Sequence, residues 1–181
     1  GGAEHEISPD HIEVGSFMAL AAATGGELRI RDTEPGDLVM IRRQFARLGL
    51  RSEIDGRDLL VPPAQELAVQ DDVGDAIAKI AAGPWPAFPA DLTSIALALA
   101  TQADGTILIF EKMFENRLFF TDKLDIRAGM AMLIAALAAD GMSEIGNIAQ
   151  IDRGYERIDE RLRELGARIE RVAVEPAPAA V

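Results

Sequence analysis

The sequence predicts an α/β domain with internal pseudo-threefold symmetry, its apolar helices gathered at the centre and its sheets outside them. Three observations carry this prediction. A run rich in Ala, Leu, Met and Ile ends at a glycine three times, near Gly26, Gly105 and Gly141, and a short β-like stretch follows each. Those runs are apolar on nearly every side, and a helix of that kind is buried. The chain has 181 residues, 49% of them apolar and mostly small aliphatics, which is enough for one domain with a core of its own. The domain is expected over residues 1–172, with copies at about 7–62, 84–124 and 125–172, and a disordered Ala/Pro tail over 173–181.

In the first copy the helix Phe17 to Ala23 runs to Gly25 and Gly26, the strand Leu28-Arg29-Ile30 follows, and a second helix ends at Leu48-Gly49. Leu59-Leu60-Val61 reads as a strand stopped by Pro62 and Pro63. An acidic stretch at Gln70-Asp71-Asp72 leads to Gly83-Pro84-Trp85-Pro86-Ala87-Phe88-Pro89, whose alternate prolines should hold the chain extended as far as Asp91. Asp91 stands where an N-cap belongs, before the middle helix Ile95 to Ala100; Gly105, the strand Ile107 to Phe110 and a second helix around Leu118-Phe119-Phe120 follow. The middle copy then stops at Lys123-Leu124, and Asp125, a further expected N-cap, already opens the third. No closing glycine or strand pair separates them, although repetition predicts both. Either the segment has been deleted or this sequence omits a stretch of chain. The third copy reads as a helix from Met130 to Ala139, a strand at Glu144-Ile145, a charged helix ending at Leu165-Gly166 and a strand from Arg168 to Val172.

Cysteine is absent, which excludes disulfides and thiolate metal sites and fits a reducing compartment. The longest apolar run is too short to span a bilayer and no signal peptide is visible, so a soluble, cytoplasmic protein is expected. A net charge of −12 argues against nucleic acid or an anionic membrane as partner, while leaving room for a small anion held by local arginines. His5 and His11 have no ligand spacing around them, and neither a metal nor a cofactor is expected. Met130, Met132, Leu133 and Leu137 read as core, and the alternating charges from Glu156 to Arg171 as a solvated face.

Arg117, Arg127 and Arg153 each fall near the start of an expected helix. A cation is disfavoured there, so its repeated use suggests a shared anion, phosphate or carboxylate, gripped by guanidinium forks and free N–H groups. The plain alternative is that each pairs with a neighbouring Asp or Glu. Asp91 is an ordinary N-cap on periodicity alone; held rigidly at a cleft mouth, it could also take a hydroxyl proton.

Five ordered motifs, Ser8 to Phe17, Phe88-Pro89-Ala90-Asp91, Phe114-Glu115-Asn116-Arg117, Asp125-Ile126-Arg127-Ala128 and Ile151 to Arg157, together resemble the C-terminal half of the UDP-N-acetylglucosamine 1-carboxyvinyltransferase family of enolpyruvyltransferases. The resemblance spans Gly1 to about Val172. It implies the inverted α/β prism of that family and transfer of the enolpyruvyl group of phosphoenolpyruvate to the 3-hydroxyl of UDP-N-acetylglucosamine, the first committed step of peptidoglycan synthesis. It makes Asp91 the carboxylate on the sugar hydroxyl and Met113 a backbone contact to the nucleotide sugar. Arg117, Arg127 and Arg153 would hold phosphoenolpyruvate and the tetrahedral intermediate. The family's general acid, usually a cysteine, lies in an N-terminal domain that this chain would need as partner, so the chain alone should bind weakly and turn nothing over. The family also carries a further strand pair between the equivalents of Leu124 and Asp125. Other readings are a paralogue acting on another hydroxyl acceptor and, from a different class, a non-catalytic scaffold.

Overall fold

A computed structural model describes residues 2–74, 76–113, 126–145 and 148–172, with the backbone alone for residues 126–128 and 150. Helix α1, His11–Ala23, begins where the Asp10 carboxylate accepts the N–H groups of Ile12 (2.8 Å) and Glu13 (3.4 Å). It ends in a Schellman motif: the Gly26 N–H returns to the Ala21 carbonyl and the Gly25 N–H to Ala22, with Gly25 at φ +68°. Ten of its thirteen residues are buried, so this helix lies inside the molecule and not on its face. Helices α3, Thr93–Ala100, and α4, Ile126–Ala138, pack against it and against each other, which gives the expected three-helix centre. Gly15 permits the approach of the turn that precedes α3, because a Cβ there would stand 2.8 Å from Leu92 Cδ1.

Outside this centre, β1 (Leu28–Ile30), β2 (Glu53–Asp55) and β3 (Asp58–Val61) form an antiparallel sheet in the order β1-β3-β2, with Leu28 opposite Val61 and Glu53 opposite Leu60. Leu59 and Val61 point inward and are fully buried; on the outer face Arg29 bridges Asp55 and Asp58, each at 3.0 Å. Helix α2, Val39–Ala46, adds Ile41 and Phe45 to the core. A second sheet pairs β4 (Ala78–Ala81) with β5 (Ile107–Phe110) in parallel, Ala78 opposite Ile107. Ala78 and Ile80 face the core, while Leu108 and Phe110 are exposed. Two short helices, α5 (Ala149–Asp152) and α6 (Ile158–Glu164), complete the order. Among the described residues no helix is long and apolar enough to cross a membrane.

The structure corrects several expectations. Glu144-Ile145 and the stretch from Arg168 to Val172 are irregular. A strand exists through its ladder partner, and the latter stretch is instead held by side chains: Arg171 forks onto Asp152 (2.8 Å twice) and reaches Asp159 (2.8 Å). The charged segment is accordingly not a purely solvated face, for Asp159 is 9% exposed and Ile158 and Leu162 are core. The proline segment turns where extension was expected: the Ala87 N–H bonds the Pro84 carbonyl (2.9 Å) around a cis Trp85–Pro86 bond. Strands β2 and β4 had no counterpart in the sequence reading. Arg117, Asp125, the helix around Leu118 to Phe120, the junction at Leu124 and the tail lie outside the described residues.

Candidate substrate site

The site is built around the entry to α3. Phe88 is fully buried and meets Phe45 edge-on at 5.9 Å; it also bridges to Ala82, whose N–H bonds the Phe110 carbonyl (2.9 Å). The end of the second sheet is therefore tied to the approach to Asp91. From Pro89 (φ −62°, ψ 132°) the chain enters a 3-10 turn, Ala90–Leu92, closed by the Leu92 N–H on the Pro89 carbonyl at 3.0 Å. Asp91 is the middle residue of that turn and half-buried. It is not the N-cap expected from spacing: the chain is already helical at Ala90, and the residue before α3 is Leu92, with no side-chain cap. A carboxylate in the first turn still suits the positive end of the helix.

Beyond β5, the chain emerges beside this turn. The Glu111 carboxylate accepts the Thr93 hydroxyl at 3.1 Å through Oε2 and the Met113 N–H at 2.6 Å through Oε1. Thr93 is 3% exposed and Met113 41% exposed, so one carboxylate joins a buried helix start to an open stretch of backbone. The structure thus ties Met113, singled out from sequence, to Thr93, two residues after Asp91, through Glu111. Neither Thr93 nor Glu111 belongs to a motif quoted from the sequence; their signal is a pairing across 18 residues that only the fold closes.

The arginines divide. Arg127 is the second residue of α4, at the helix start as expected, and its side chain lies outside the description. Arg117 lies wholly outside it. Arg153 contradicts its expected position: it is the exposed C-cap of α5, at the helix end where a cation is favoured. At that place its charge suits the helix and calls for no bound anion. The helix had been expected to begin near Asp152, whereas it begins at Ala149 and breaks at Gly154. Tyr155, two residues on, is buried and its hydroxyl pairs with Ser16 at 2.8 Å, which fixes this connection to α1. Among the described residues no group of three His, Asp or Glu side chains could hold a metal ion.

Chemically, the α3 entry carries a half-buried carboxylate at the positive end of a helix. Such a group accepts a hydrogen bond from a hydroxyl and can take its proton.

The sequence model of the family described as EPSP synthase (3-phosphoshikimate 1-carboxyvinyltransferase) matches residues 1–125. The UDP-N-acetylglucosamine 1-carboxyvinyltransferase of Bradyrhizobium diazoefficiens is 49% identical over 203 residues, covering 95% of this chain and 47% of that protein. The proteins of the same name from Treponema denticola (46%, covering 93% and 47%) and Porphyromonas gingivalis (43%, covering 94% and 47%) are similar. In fold, the chain is similar to the crystal structure of the enolpyruvyl transferase NikO from Streptomyces tendae, with a TM-score of 0.71 at 22% identity over 89% of this chain and 44% of that one. The chain spans about half the length of the curated relatives it matches. The first alignment runs over 203 positions, but 95% of 181 residues is about 172, so that relative carries about 30 residues with no counterpart here. The family match ends at Asp125, the junction where repetition predicts an absent strand pair.

Proposed function

The chain belongs to the EPSP synthase (3-phosphoshikimate 1-carboxyvinyltransferase) family, and from that membership we propose that it supplies one of the two domains of an enzyme transferring the enolpyruvyl group of phosphoenolpyruvate to the 3-hydroxyl of UDP-N-acetylglucosamine. Asp91 accepts the proton of that hydroxyl as its oxygen adds to the enolpyruvyl carbon. The adduct, its methylene protonated to a methyl group, is a tetrahedral intermediate, from which phosphate leaves as the methyl group gives up a proton and the double bond forms again. Met113 contacts the nucleotide sugar through its backbone, and Arg117, Arg127 and Arg153 hold the phosphate and carboxylate charges. The proton for the enolpyruvyl methylene comes from the other domain, corresponding to the half of the relatives that this chain does not match. In the cell, this chemistry belongs to peptidoglycan synthesis in the cytoplasm.

The observation that supports the reading is the Glu111 carboxylate, which bonds both Thr93, two residues after Asp91, and the N–H of Met113. Its test is reconstitution. The chain alone should release no phosphate from phosphoenolpyruvate and UDP-N-acetylglucosamine above background. Mixed with the N-terminal half of the Bradyrhizobium relative, it should do so, and Asp91→Asn should lower turnover by roughly a hundredfold to ten-thousandfold. Phosphate release that is unchanged in the Asp91→Asn mixture would reject Asp91 as the proton acceptor. Release without any need for the uridine nucleotide would point to another acceptor.

A further inference from the structure

We infer that Glu111 is the positioning residue of this site, a reading that rests on the function proposed above. One carboxylate makes two directed bonds to two different segments: Oε2 to the hydroxyl of Thr93, two residues after Asp91, and Oε1 to the N–H of Met113. It sets the distance between the helix turn that carries the acid–base group and the backbone that receives the nucleotide sugar. Glu111 is half-buried and directly follows β5, whose Phe110 is tied through Ala82 to the Phe88 anchor, so Glu111 and Thr93 rest on packed structure while Met113 is open.

Two chemical consequences follow. The Met113 N–H is already engaged, so what that residue offers a ligand is its carbonyl, which takes a hydroxyl or N–H donor. Thr93 is almost completely buried, and removal of Glu111 strips its hydroxyl of this acceptor, which favours a shifted turn and a displaced Asp91. Glutamine preserves both bonds, because its amide oxygen can accept the Met113 N–H while its NH2 group donates to the Thr93 oxygen.

The experiment titrates UDP-N-acetylglucosamine into the full 181-residue chain, with the single tryptophan, Trp85, as fluorescent reporter six residues before Asp91. Glu111→Ala should weaken binding about tenfold or more, the scale of a lost charged hydrogen bond, and Glu111→Gln should stay within about threefold of the unaltered chain. Rescue by Gln is the outcome a mere folding role does not require, provided the thermal midpoints of both variants stay well above the titration temperature. If the unaltered chain shows no saturable signal even when mixed with the N-terminal half of the Bradyrhizobium relative, the functional reading falls and this inference with it. If it binds and Glu111→Ala binds equally well, the inference alone is overturned. Should Glu111→Ala fail to fold, Thr93→Val carries the test: weaker binding by about threefold or more supports the link, and unchanged affinity rejects it.

Discussion

Arg171 closes the C-terminal part of the described chain by gripping two acids at once, Asp152 at the end of α5 and Asp159 in the first turn of α6. Its hydrogen bonds hold both carboxyls below the usual carboxylate range, and the two acids raise the guanidinium in turn. A carboxyl whose folded pKa is depressed stabilises the fold above its unfolded value, near 4, and loses that contribution as pH falls through the folded value. Thermal midpoints should therefore be level from pH 7 to about pH 5 and fall below about pH 4. Arg171→Ala should cost about 1 kcal/mol after allowance for solvent screening, lowering the midpoint at pH 7 by about 2–4 °C, and flatten the acid limb. Melts followed by circular dichroism at several pH values measure both; an acid limb as steep in the variant would remove Arg171 from the account. At this scale the sequence was silent where two side chains meet through the fold, as at Thr93 and Glu111, and its spacing put Asp91 at a cap where the chain is already helical. Arg153 was misread for a related reason, since its role depends on where α5 begins, and no cap residue marks that start.

Elements were legible in proportion to their apolar contrast. Helix α1 and strands β1, β3 and β5 follow from apolar segments with glycine or proline near their ends, whereas β4 is Ala-Lys-Ile-Ala, whose alternation is faint until Ile107 to Phe110 lies beside it. The end of α2 shows how tightly the connections are set. Gly49 sits at φ +84°, and a Cβ there would stand 2.6 Å from the backbone nitrogen of Ala68. Gly49→Ala meets both a backbone penalty and an immovable neighbour, so a loss of about 2 kcal/mol or more is expected, read as a lower denaturant midpoint at unchanged slope. Gly56→Ala, also at positive φ but with open space around it, should cost less. Between elements, Tyr155→Phe removes the buried bond to Ser16 while leaving Ser16 its bond to the Ile12 carbonyl (2.9 Å), and a cost near 1 kcal/mol is expected in the same assay.

For the whole molecule, repetition was the strongest signal in the sequence, because three apolar helices that each need burial have few arrangements other than against one another. The sheets were less legible, since each depends on partners distant in the chain. About 30 residues present in the Bradyrhizobium relative have no counterpart here, and among the described residues β5 pairs with β4 alone. An edge of that kind invites association between chains. Insertion of the relative's segment between Leu124 and Asp125 should raise the thermal midpoint by several degrees and shift the protein toward a monomer in light scattering after size exclusion. No change in either would mean that the segment is not part of the packed sheet.

The central packing also fixes an order of events during synthesis. Helix α1 ends at Ala23, and α4, one of the walls that covers it, begins at Ile126. A ribosome adding residues in sequence releases the first of these helices about a hundred residues before its last wall exists. Through that interval the most apolar segment made first is held in a nascent chain that cannot yet enclose it, so its protection falls to chaperones or to the speed of elongation, and a pause before α4 is emitted is where this chain is most exposed to aggregation.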